Sequence, residues 1–347
     1  PSLKTEILYR NFSPNDDGIQ DFLLIDHKNL SEEGLWSMEI RAGDSPVFRR
    51  NWSGKPDETV KWDGKNEDGA VLPDGNYEYV MKVTDRAGNE TSYRVGEIVI
   101  DTRSPVVRAK NLENYFSPNG DKIKDTIEVE QEFNKEGLWT GEIINSSGEP
   151  VKTYQWKGLP PKTLVWDGKN ERGEIESDGK YLYRVKGKDA AGNQTEQTLT
   201  HFIIDTKPPQ AEVSVSDPYF SPNQDGKKDL LLFQVETATE EDLWLGEIRQ
   251  ENGKTVKTFT WKGIPPRQFT WDGLTHKGKP APEGTYRFVL KSSDRAGNHM
   301  EQMVAGLVLD QTAPELKLAV EDKVFSPARD TGKISFEIKG SKEGEIR

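Results

Sequence analysis

The tetrapeptide Phe-Ser-Pro-Asn occurs three times in this sequence, and its spacing decides the fold. The copies lie 104 residues apart, at Phe12–Asn15, Phe116–Asn119 and Phe220–Asn223. A fourth version, Phe325–Ala328, ends in alanine and begins 105 residues further on. Because other motifs keep the same spacing, the pattern is a tandem repeat of one structural unit and not a chance recurrence.

Further motifs repeat in register with this tetrapeptide. Trp-Asp-Gly begins at Trp62, Trp166 and Trp271. Asp-x-Ala-Gly-Asn occurs at Asp85–Asn89, Asp189–Asn193 and Asp294–Asn298. Each copy closes on Asp-Thr or Asp-Gln-Thr, with a proline shortly after. We therefore predict repeats at 1–103, 104–207 and 208–312, and the truncated start of a fourth repeat at 313–347, which we expect to pack poorly.

Alternation of apolar and polar residues predicts β-strands in every repeat. Tyr77, Tyr79, Met81 and Val83 alternate with residues that include Glu78, Lys82 and Thr84, and this period of two buries one face of a strand. Glycine, asparagine and proline separate such segments, and no segment has a convincing helical period with caps. About seven short strands in roughly a hundred residues are typical of an immunoglobulin-like sandwich.

A tyrosine that follows Asp-Gly-x or Glu-Gly-x supports this fold. It is Tyr77, Tyr181 or Tyr286, and at such a corner its hydroxyl can bond back to nearby backbone. Short linkers with proline restrict the joints between repeats. We predict an all-β protein of tandem immunoglobulin-like antiparallel β-sandwiches, arranged as an elongated, monomeric rod.

Composition excludes several classes of protein. Hydrophobic residues make up 33% of the chain, charged residues 31%, and the net charge is −12. Such an acidic chain lacks the basic face that nucleic acid or an anionic membrane surface requires. The absence of cysteine excludes disulfides and thiolate zinc sites. No apolar run reaches the length of a transmembrane segment.

The sequence gives little support for catalysis. The histidines, His27, His201, His276 and His299, occupy unrelated positions within the repeat. No Ser-His-Asp set recurs, and neither a G-x-S-x-G motif nor a glycine-rich phosphate loop is present. We expect the histidines to lie at the surface and the protein not to be an enzyme.

The segment after Phe-Ser-Pro is the strongest candidate for a binding site. Its common core, Asn-x-Asp-x-x-x-Asp, places oxygen atoms around a turn and can surround a hard cation such as Ca²⁺. The predicted calcium ligands are Asn15, Asp17, Asp21, Asn119, Asp121, Asp125, Asn223, Asp225 and Asp229. The alternative is that these side chains only build Asx-turns between strands.

The repeats differ in how well this segment suits a cation. In the second repeat, Lys122 replaces the glycine of the other two loops and Lys124 adds a positive charge, so this loop is the poorest of the three. The fourth copy has Ala328 and Ile334 at the outer ligand positions, and we expect no ion there.

Two other sets of recurring residues have open roles. The aspartates of Trp-Asp-Gly are Asp63, Asp167 and Asp272. A further set of tryptophans is Trp52, Trp156 and Trp261. The aspartates either complete the shell of the ion or cap a turn while the preceding tryptophan packs. The tryptophans either stack on a sugar or pack at the edge of the core, and their identical placement favours packing.

The motifs taken together resemble the Ig-like domain of the flagellar hook-capping protein family. The segments that carry this resemblance are Phe-Ser-Pro-Asn-x-Asp-Gly-x-x-Asp, Leu-Trp-x-x-Glu-Ile, Trp-Asp-Gly-Lys-Asn, Asp-Gly-x-Tyr and Asp-x-Ala-Gly-Asn. Arrays of such domains look like those in large envelope proteins of spirochaetes and related bacteria. The Phe-Ser-Pro-Asn opening is similar to that of the C-terminal sorting domains of gliding bacteria. The resemblance covers nearly the whole chain and implies a bacterial, non-catalytic module of surface, periplasmic or secreted proteins.

These observations lead to an expected role outside the cytoplasm, in the periplasm, at the outer membrane surface or in a secreted protein. We expect a stalk or spacer in an envelope or surface protein, rigidified by calcium. The alternatives are an adhesin or glycan-binding module, or an accessory region of a larger secreted enzyme. Expected partners are other envelope proteins or surface glycans, and not nucleic acid.

Overall fold

The computed structural model describes residues 4–28, 34–135, 137–320 and 336–340. Regular secondary structure in these residues is entirely β-strand, as the sequence predicts. The same residues contain no helix with the length and apolarity needed to cross a membrane. The chain divides into two compact units, Pro1–Thr206 with repeats 1 and 2, and Lys207–Arg347 with repeat 3 and the tail.

Repeat 1 contains eight strands in two sheets. They are β1 Lys4–Ile7, β2 Asn11–Phe12, β3 Leu23–Lys28, β4 Leu35–Ala42, β5 Ser45–Ser53, β6 Thr59–Trp62, β7 Gly75–Thr84 and β8 Glu90–Ile100. One sheet has the order β1-β3-β6 and the other the order β2-β8-β7-β4-β5. The strand pairs are antiparallel except for β2 with β8, which is parallel.

Repeats 2 and 3 have the same strands in the same arrangement. Repeat 2 has β9 Val107–Asn111, β10 Tyr115–Phe116, β11 Ile127–Phe133, β12 Gly137–Ile144, β13 Pro150–Gly158, β14 Thr163–Trp166, β15 Gly179–Lys188 and β16 Gln194–Ile204. Repeat 3 has β17 Ala211–Val215, β18 Tyr219–Phe220, β19 Leu231–Ala238, β20 Glu241–Gln250, β21 Thr255–Gly263, β22 Gln268–Trp271, β23 Gly284–Ser293 and β24 His299–Leu309. The sheets are β14-β11-β9 with β10-β16-β15-β12-β13, and β17-β19-β22 with β18-β24-β23-β20-β21. This is the predicted immunoglobulin-like sandwich.

Each repeat has its own hydrophobic core, built from the inward residues of both sheets. The core residues fall between Phe12 and Ile100, between Val107 and Ile204, and between Val213 and Leu309. The largest fully buried side chains are two tryptophans per repeat: Trp36, Trp62, Trp139, Trp166, Trp244 and Trp271. No core cluster extends across a predicted repeat border among the described residues, while the borders themselves stay predictions.

The last strand of each repeat carries a bulge at the same place. The pairing of β7 with β8 shifts register between Tyr77 and Tyr79, and the later repeats shift at the matching point. The bulge residue has a positive φ, which is 62° at Glu97, 73° at His201 and 77° at Gly306. At this bulge position, repeat 3 has a glycine, whereas repeats 1 and 2 have residues with side chains in the left-handed conformation.

The tail contributes β25 Leu316–Val320 and β26 Phe336–Gly340, which pair antiparallel. Leu318 and Ile338 lie opposite each other and remain 62% and 53% exposed. Ala328 and Ile334 lie outside the described residues, so the expectation that no ion binds there stays a prediction.

Candidate functional site

Several repeated motifs meet at one end of each sandwich. The ring of Phe12 lies 5.5 Å from the ring of Trp62, which lies 6.1 Å from that of Tyr77. The matching aromatic contacts in the other repeats are Phe116–Trp166–Tyr181 and Phe220–Trp271–Tyr286. A Cβ atom on Gly64 would lie 2.8 Å from Pro14 Cγ, so the proline of Phe-Ser-Pro requires the glycine of Trp-Asp-Gly. The motifs recur because they pack on one another.

The predicted tyrosine corner is present in all three repeats. The Tyr77 hydroxyl donates to the Pro73 carbonyl at 2.7 Å, and the Tyr181 hydroxyl donates to the Ser177 carbonyl at 2.7 Å. Tyr286 makes the same bond to Pro282. Each bond satisfies a hydroxyl whose ring lies in the core.

The aspartate of Trp-Asp-Gly caps a turn. Asp63 Oδ1 accepts a hydrogen bond from the Lys65 backbone N–H at 3.3 Å, and Trp62 Nε1 donates to the Lys65 carbonyl at 2.9 Å. Asp167 and Asp272 accept the equivalent bonds from residues 169 and 274. Of the two interpretations, the structure therefore displays the turn cap.

The loops that carry the predicted calcium ligands are built from Asx-turns. Asn15 Oδ1 accepts from the N–H of Asp17 at 3.1 Å, and Asp17 Oδ1 accepts from the N–H of Ile19 at 2.7 Å. Asp21 Oδ2 accepts from the N–H of Gly18 at 2.8 Å. The same bonds recur at Asn119, Asp121, Asp125, Asn223, Asp225 and Asp229. The structure thus brings all three predicted ligands of each loop together around one turn.

Cation binding by these loops is a separate question from their turn geometry. The predicted ligands of each loop are one amide and two carboxylates, which supply oxygen atoms of the kind that Ca²⁺ prefers. In repeat 1, Asp21 Oδ1 is buried and has no hydrogen-bond partner among the described residues. No group of three or more acidic or histidine side chains suited to a metal occurs in the part of the chain that the structure describes. The calcium assignment stays a prediction.

The tip of the first loop contacts repeat 2 within the first compact unit. Gln20 Nε2 donates to the Ala190 carbonyl at 3.1 Å. A Cβ atom on Gly192 would lie only 2.9 Å from Ile19 Cγ2, so the glycine lets the two segments approach. The turn is closely covered, because Ala191 and Asn193 are each 1% exposed. We call this contact, between the tip Ile19–Gln20 and the turn Asp189–Asn193, the joint.

The linker between the repeats is bonded on both sides of the joint. Toward repeat 1, Asp74 accepts hydrogen bonds from the Thr102 N–H at 2.9 Å and from Arg103 Nε at 2.8 Å. Toward repeat 2, Asn193 Nδ2 donates to the Asp101 carbonyl at 2.8 Å. These bonds restrict the linker beyond what its proline achieves alone.

Lys135 is the electrostatic centre of the joint. Its ammonium lies 2.9 Å from the Asp101 carboxylate and 2.8 Å from the Asp189 carboxylate. Burial by itself would lower the pKa of Lys135, but the hydrogen bonds and charges of Asp189 and Asp101 raise it above its ordinary value. Lys135 therefore stays charged and bridges an aspartate of each repeat.

Sequence reasoning missed the joint, although part of its signal was present. The predicted ligands recur in every loop, whereas the tip reads Ile19-Gln20, Ile123-Lys124 or Lys227-Lys228. Residues that differ between the three loops, within a motif that otherwise recurs, indicate positions whose contacts lie outside their own repeat. Asn193 belongs to the Asp-x-Ala-Gly-Asn motif, whose recurrence in all three repeats does not indicate a contact with a neighbouring repeat.

His27 corrects the expectation that the histidines lie at the surface. It is 3% exposed, its Nε2 lies 2.6 Å from the Tyr79 hydroxyl and its Nδ1 lies 2.9 Å from the Asp57 carbonyl. His27 follows Leu23 and Ile25 at a period of two, so it points into the core with them. Burial lowers the pKa of His27. His201, His276 and His299 are exposed.

Trp52, Trp156 and Trp261 are half-buried and pack along the edge strands of their sheets. Trp156 stacks on Tyr154 with ring centroids 5.8 Å apart, and Trp261 stacks on Phe259 at the same distance. In repeat 1, the Arg50 guanidinium covers Trp52 at 5.3 Å. These rings already have partners, which agrees with the packing interpretation.

Comparison with known families gives two matches. The FlgD Ig-like domain matches residues 227–296. The CHU_C Type IX secretion signal domain matches residues 7–100 and 110–203, which together make up more than half of the chain. The resemblance to the hook-capping Ig-like domain is therefore confirmed, and the second match agrees with the similarity to sorting domains.

Similar solved structures share little sequence with this chain. A tetra-tandem repeat from the extending region of a large adhesion protein is 13% identical with a TM-score of 0.31, covering 97% of this chain and 87% of that one. A structure from a 1.5-MDa bacterial ice-binding adhesin is 16% identical with a TM-score of 0.35, covering 89% and 97%. Fibronectin(III)-like modules of Clostridium thermocellum CbhA are 13% identical with a TM-score of 0.33, covering 58% and 95%. A search of curated proteins found no significant match.

Proposed function

The chain belongs to the family of the CHU_C Type IX secretion signal domain, and from that premise we propose that it is a non-catalytic structural array outside the cytoplasm. In this role its Ig-like repeats form a stalk or spacer of a bacterial envelope or surface protein. The name of the family supports export from the cell. The serial repeats support a role in spacing.

The joint between repeats 1 and 2 is the observation that carries this proposal. A flexible tether would leave the loop tip, the linker and the turn solvated. Here Gln20, Lys135 and Asn193 each bond across the border between the repeats. A typical net hydrogen bond is worth about 0.5–1.5 kcal/mol, so several together favour one fixed geometry over free rotation. A spacer needs joints of this kind.

The buried titratable groups support a structural role over catalysis. His27 bonds to Tyr79 and the Asp57 carbonyl, and Glu39 pairs with Arg41 and Arg49. These groups are satisfied by permanent partners inside one repeat, so each has an evident part in holding the fold together.

Small-angle scattering tests the stalk. Three sandwiches in series should give an extended particle with a maximum dimension on the order of 100 Å. Lys135→Ala should broaden the distribution of distances, because it removes the ion pairs at the joint. Lys157→Ala, which changes an exposed residue of the edge strand β13, serves as the matched control. A compact globular profile from the wild-type chain would contradict the proposal.

Calcium in loops 1 and 3 belongs to the same proposal. A cation bound by Asn15, Asp17 and Asp21 would rigidify the loop whose tip forms the joint. The buried, unpartnered Asp21 Oδ1 supports this assignment. In loop 2, Lys122 has a φ of 73° where Gly18 and Gly226 have 84° and 82°, and its charge opposes a cation.

A further inference from the structure

A groove lies beside the joint, between loop 1 and strand β6 of repeat 1 and the end of strand β15 in repeat 2. It encloses about 450 Å³, a size typical of ligand sites. Its lining includes apolar side chains and two ammonium groups, one from each repeat: Tyr9, Ile19, Phe22, Leu24, Lys61 and Lys188. Because both repeats contribute, the groove is complete only when the joint is formed. We call it the joint groove.

Two aromatic rings of the joint groove face solvent. Tyr9 is 49% exposed and Phe22 is 44% exposed. Single exposed apolar residues are ordinary at a protein surface, but two rings in one concave site form an apolar patch that a ligand can cover. Each ring offers a large flat area for packing.

The two lysines supply positive charge that the protein does not neutralise. The ammonium of Lys61 lies 5.5 Å from the centroid of the Phe22 ring, and this cation–π contact holds the charge at one wall of the groove. Lys188 is half-buried, and within the described residues neither lysine forms an ion pair. The acidic residue of the lining, Asp21, accepts the Gly18 N–H with its Oδ2 at 2.8 Å. In a chain of net charge −12, two such unpaired cations in one groove favour an anionic ligand.

The other repeats replace the residues of the groove, although their fold is the same. At the position of Tyr9 they have an acidic residue that forms an ion pair of 2.7 Å with a lysine of the same repeat. The pairs are Glu113–Lys124 and Asp217–Lys228. The positions of Phe22 and Lys61 hold neither a ring nor a cation there, but Thr126 and Val165, and Leu230 and Thr270. The sandwich therefore does not require these side chains, which leaves them for a ligand.

A uronic acid matches both features of the joint groove. Its pyranose ring has a face of C–H groups that packs on an aromatic ring, and its carboxylate pairs with an ammonium group. A peptide separates these features, because its carboxylates stand on flexible side chains that lose conformational entropy when they bind. A neutral sugar would desolvate the ammonium groups without giving them a partner.

We propose that the joint groove binds an acidic polysaccharide. A uronic-acid ring stacks on Tyr9, and carboxylates of adjoining units pair with Lys61 and Lys188. This site goes beyond the stalk, since it gives the array a glycan ligand, but it rests on the same joint. The polysaccharide contacts both repeats, so it binds only the closed joint and stabilises it.

Calorimetric titration of the full chain with hexamers of galacturonic acid and of mannuronic acid tests the site. Binding should weaken as salt is raised, because it depends on ion pairs. Lys61→Gln and Lys188→Gln should each weaken it about tenfold, through the loss of one charge-assisted contact. Tyr9→Glu, which gives repeat 1 the residue of repeat 2, should abolish binding, whereas Tyr9→Phe should retain it. Lys157→Gln removes an exposed lysine of β13 and should bind as the wild type does.

Two further ligands decide what the groove recognises. The methyl ester of the galacturonic acid hexamer lacks the charge and should not bind. Hexaglutamate has the charge without the sugar ring and should bind about tenfold more weakly than the acidic hexamers. The proposal is overturned if neither acidic hexamer binds, or if the ester or hexaglutamate binds as well as they do. Binding by Tyr9→Glu at wild-type affinity would overturn it too.

The variants and the stalk are checked separately. Melting temperatures should match the wild type, because each substituted side chain is exposed or half-buried. A compact scattering profile would contradict the stalk, whereas an extended chain that does not bind the hexamers would contradict the groove alone.

Discussion

The Asp-x-Ala-Gly-Asn turns of repeats 1 and 2 have the same internal bonds and opposite surroundings. The side chain of Asn89 donates to Asp85 at 2.8 Å, and that of Asn193 donates to Asp189 at 3.0 Å. Only Asn193 also donates across the border, to the Asp101 carbonyl. Each repeat therefore forms the turn by itself, and the neighbouring repeat adds a second layer of contacts to it.

Calcium in loop 1 would alter this comparison most, because its ligands flank the tip that covers the second turn. Saturation at 100 times the dissociation constant stabilises a folded protein by about 2.7 kcal/mol per site. We expect a chelator to lower the melting temperature and to raise amide exchange at 189–193 more than at 85–89. Asp17→Ala and Asp225→Ala should mimic this loss, with Asp121→Ala in the poorest loop as the control. A melting temperature that excess chelator does not change would remove the calcium assignment and leave the Asx-turns.

Removing the shared asparagine separates the two layers of contacts. Asn193→Ala should cost about 2 kcal/mol, since it removes the side-chain donor to the Asp101 carbonyl and one of the donors to the buried Asp189 carboxylate, whereas Asn89→Ala should cost about 0.5 kcal/mol at an exposed site. Urea denaturation followed by hydrogen exchange of each turn would measure both. Equal losses at the two positions would mean that the joint contributes nothing beyond the turn.

The bulge in the last strand extends the comparison to all three repeats, because its left-handed residue is Glu97, His201 or Gly306. Left-handed backbone costs a residue with a side chain about 1 kcal/mol relative to glycine, so His201→Gly and Glu97→Gly should each stabilise their repeat by about that amount. Gly306→Ala should destabilise repeat 3 by a similar amount. The check is the unfolding midpoint of each variant, and a decrease for His201→Gly would show that the side chain makes a compensating contact.

The smallest effect concerns pH, because it develops only under acidic conditions. Burial lowers the pKa of His27 in the folded state below its ordinary value of 6.5. The unfolded state then binds the proton more readily, so the stability of repeat 1 is complete above about pH 6.5 and declines as the pH falls below it. Hydrogen exchange of β3 and β7 at descending pH should detect this decline.

His27→Gln is the matched control for pH, because repeat 2 already has a glutamine, Gln131, at the position that matches His27. Gln131 Nε2 donates to the Pro161 carbonyl at 2.8 Å, and its Oε1 accepts from the Tyr183 hydroxyl at 2.9 Å. Repeat 3 has Val235 and Phe288 at the same positions. An acid sensitivity of repeat 1 that persists in His27→Gln would assign the effect to another group.

The sequence predicted what depends on periodicity inside one repeat. Alternation along β7 and the recurrence of Phe12, Trp62 and Tyr77 follow from burial in a single core, which every copy must satisfy. The joint could not be predicted in this way, since Ile19 and Gln20 contact a neighbour and need not recur. The burial of His27 could have been predicted, because the period of two after Leu23 and Ile25 points its side chain inward. Its polar side chain instead led to the expectation of a surface position.

The short parallel pairing of β2 with β8 determines how a repeat responds to mechanical tension. The N–H of Val99 donates to the Arg10 carbonyl at 2.8 Å, and the N–H of Asp101 donates to the Phe12 carbonyl at 3.2 Å. A pull on the two ends of the repeat slides these strands past each other, so the bonds bear the load together instead of opening one after another. A single-molecule extension experiment should show each repeat rupturing in one abrupt step, and gradual lengthening at low force would contradict this.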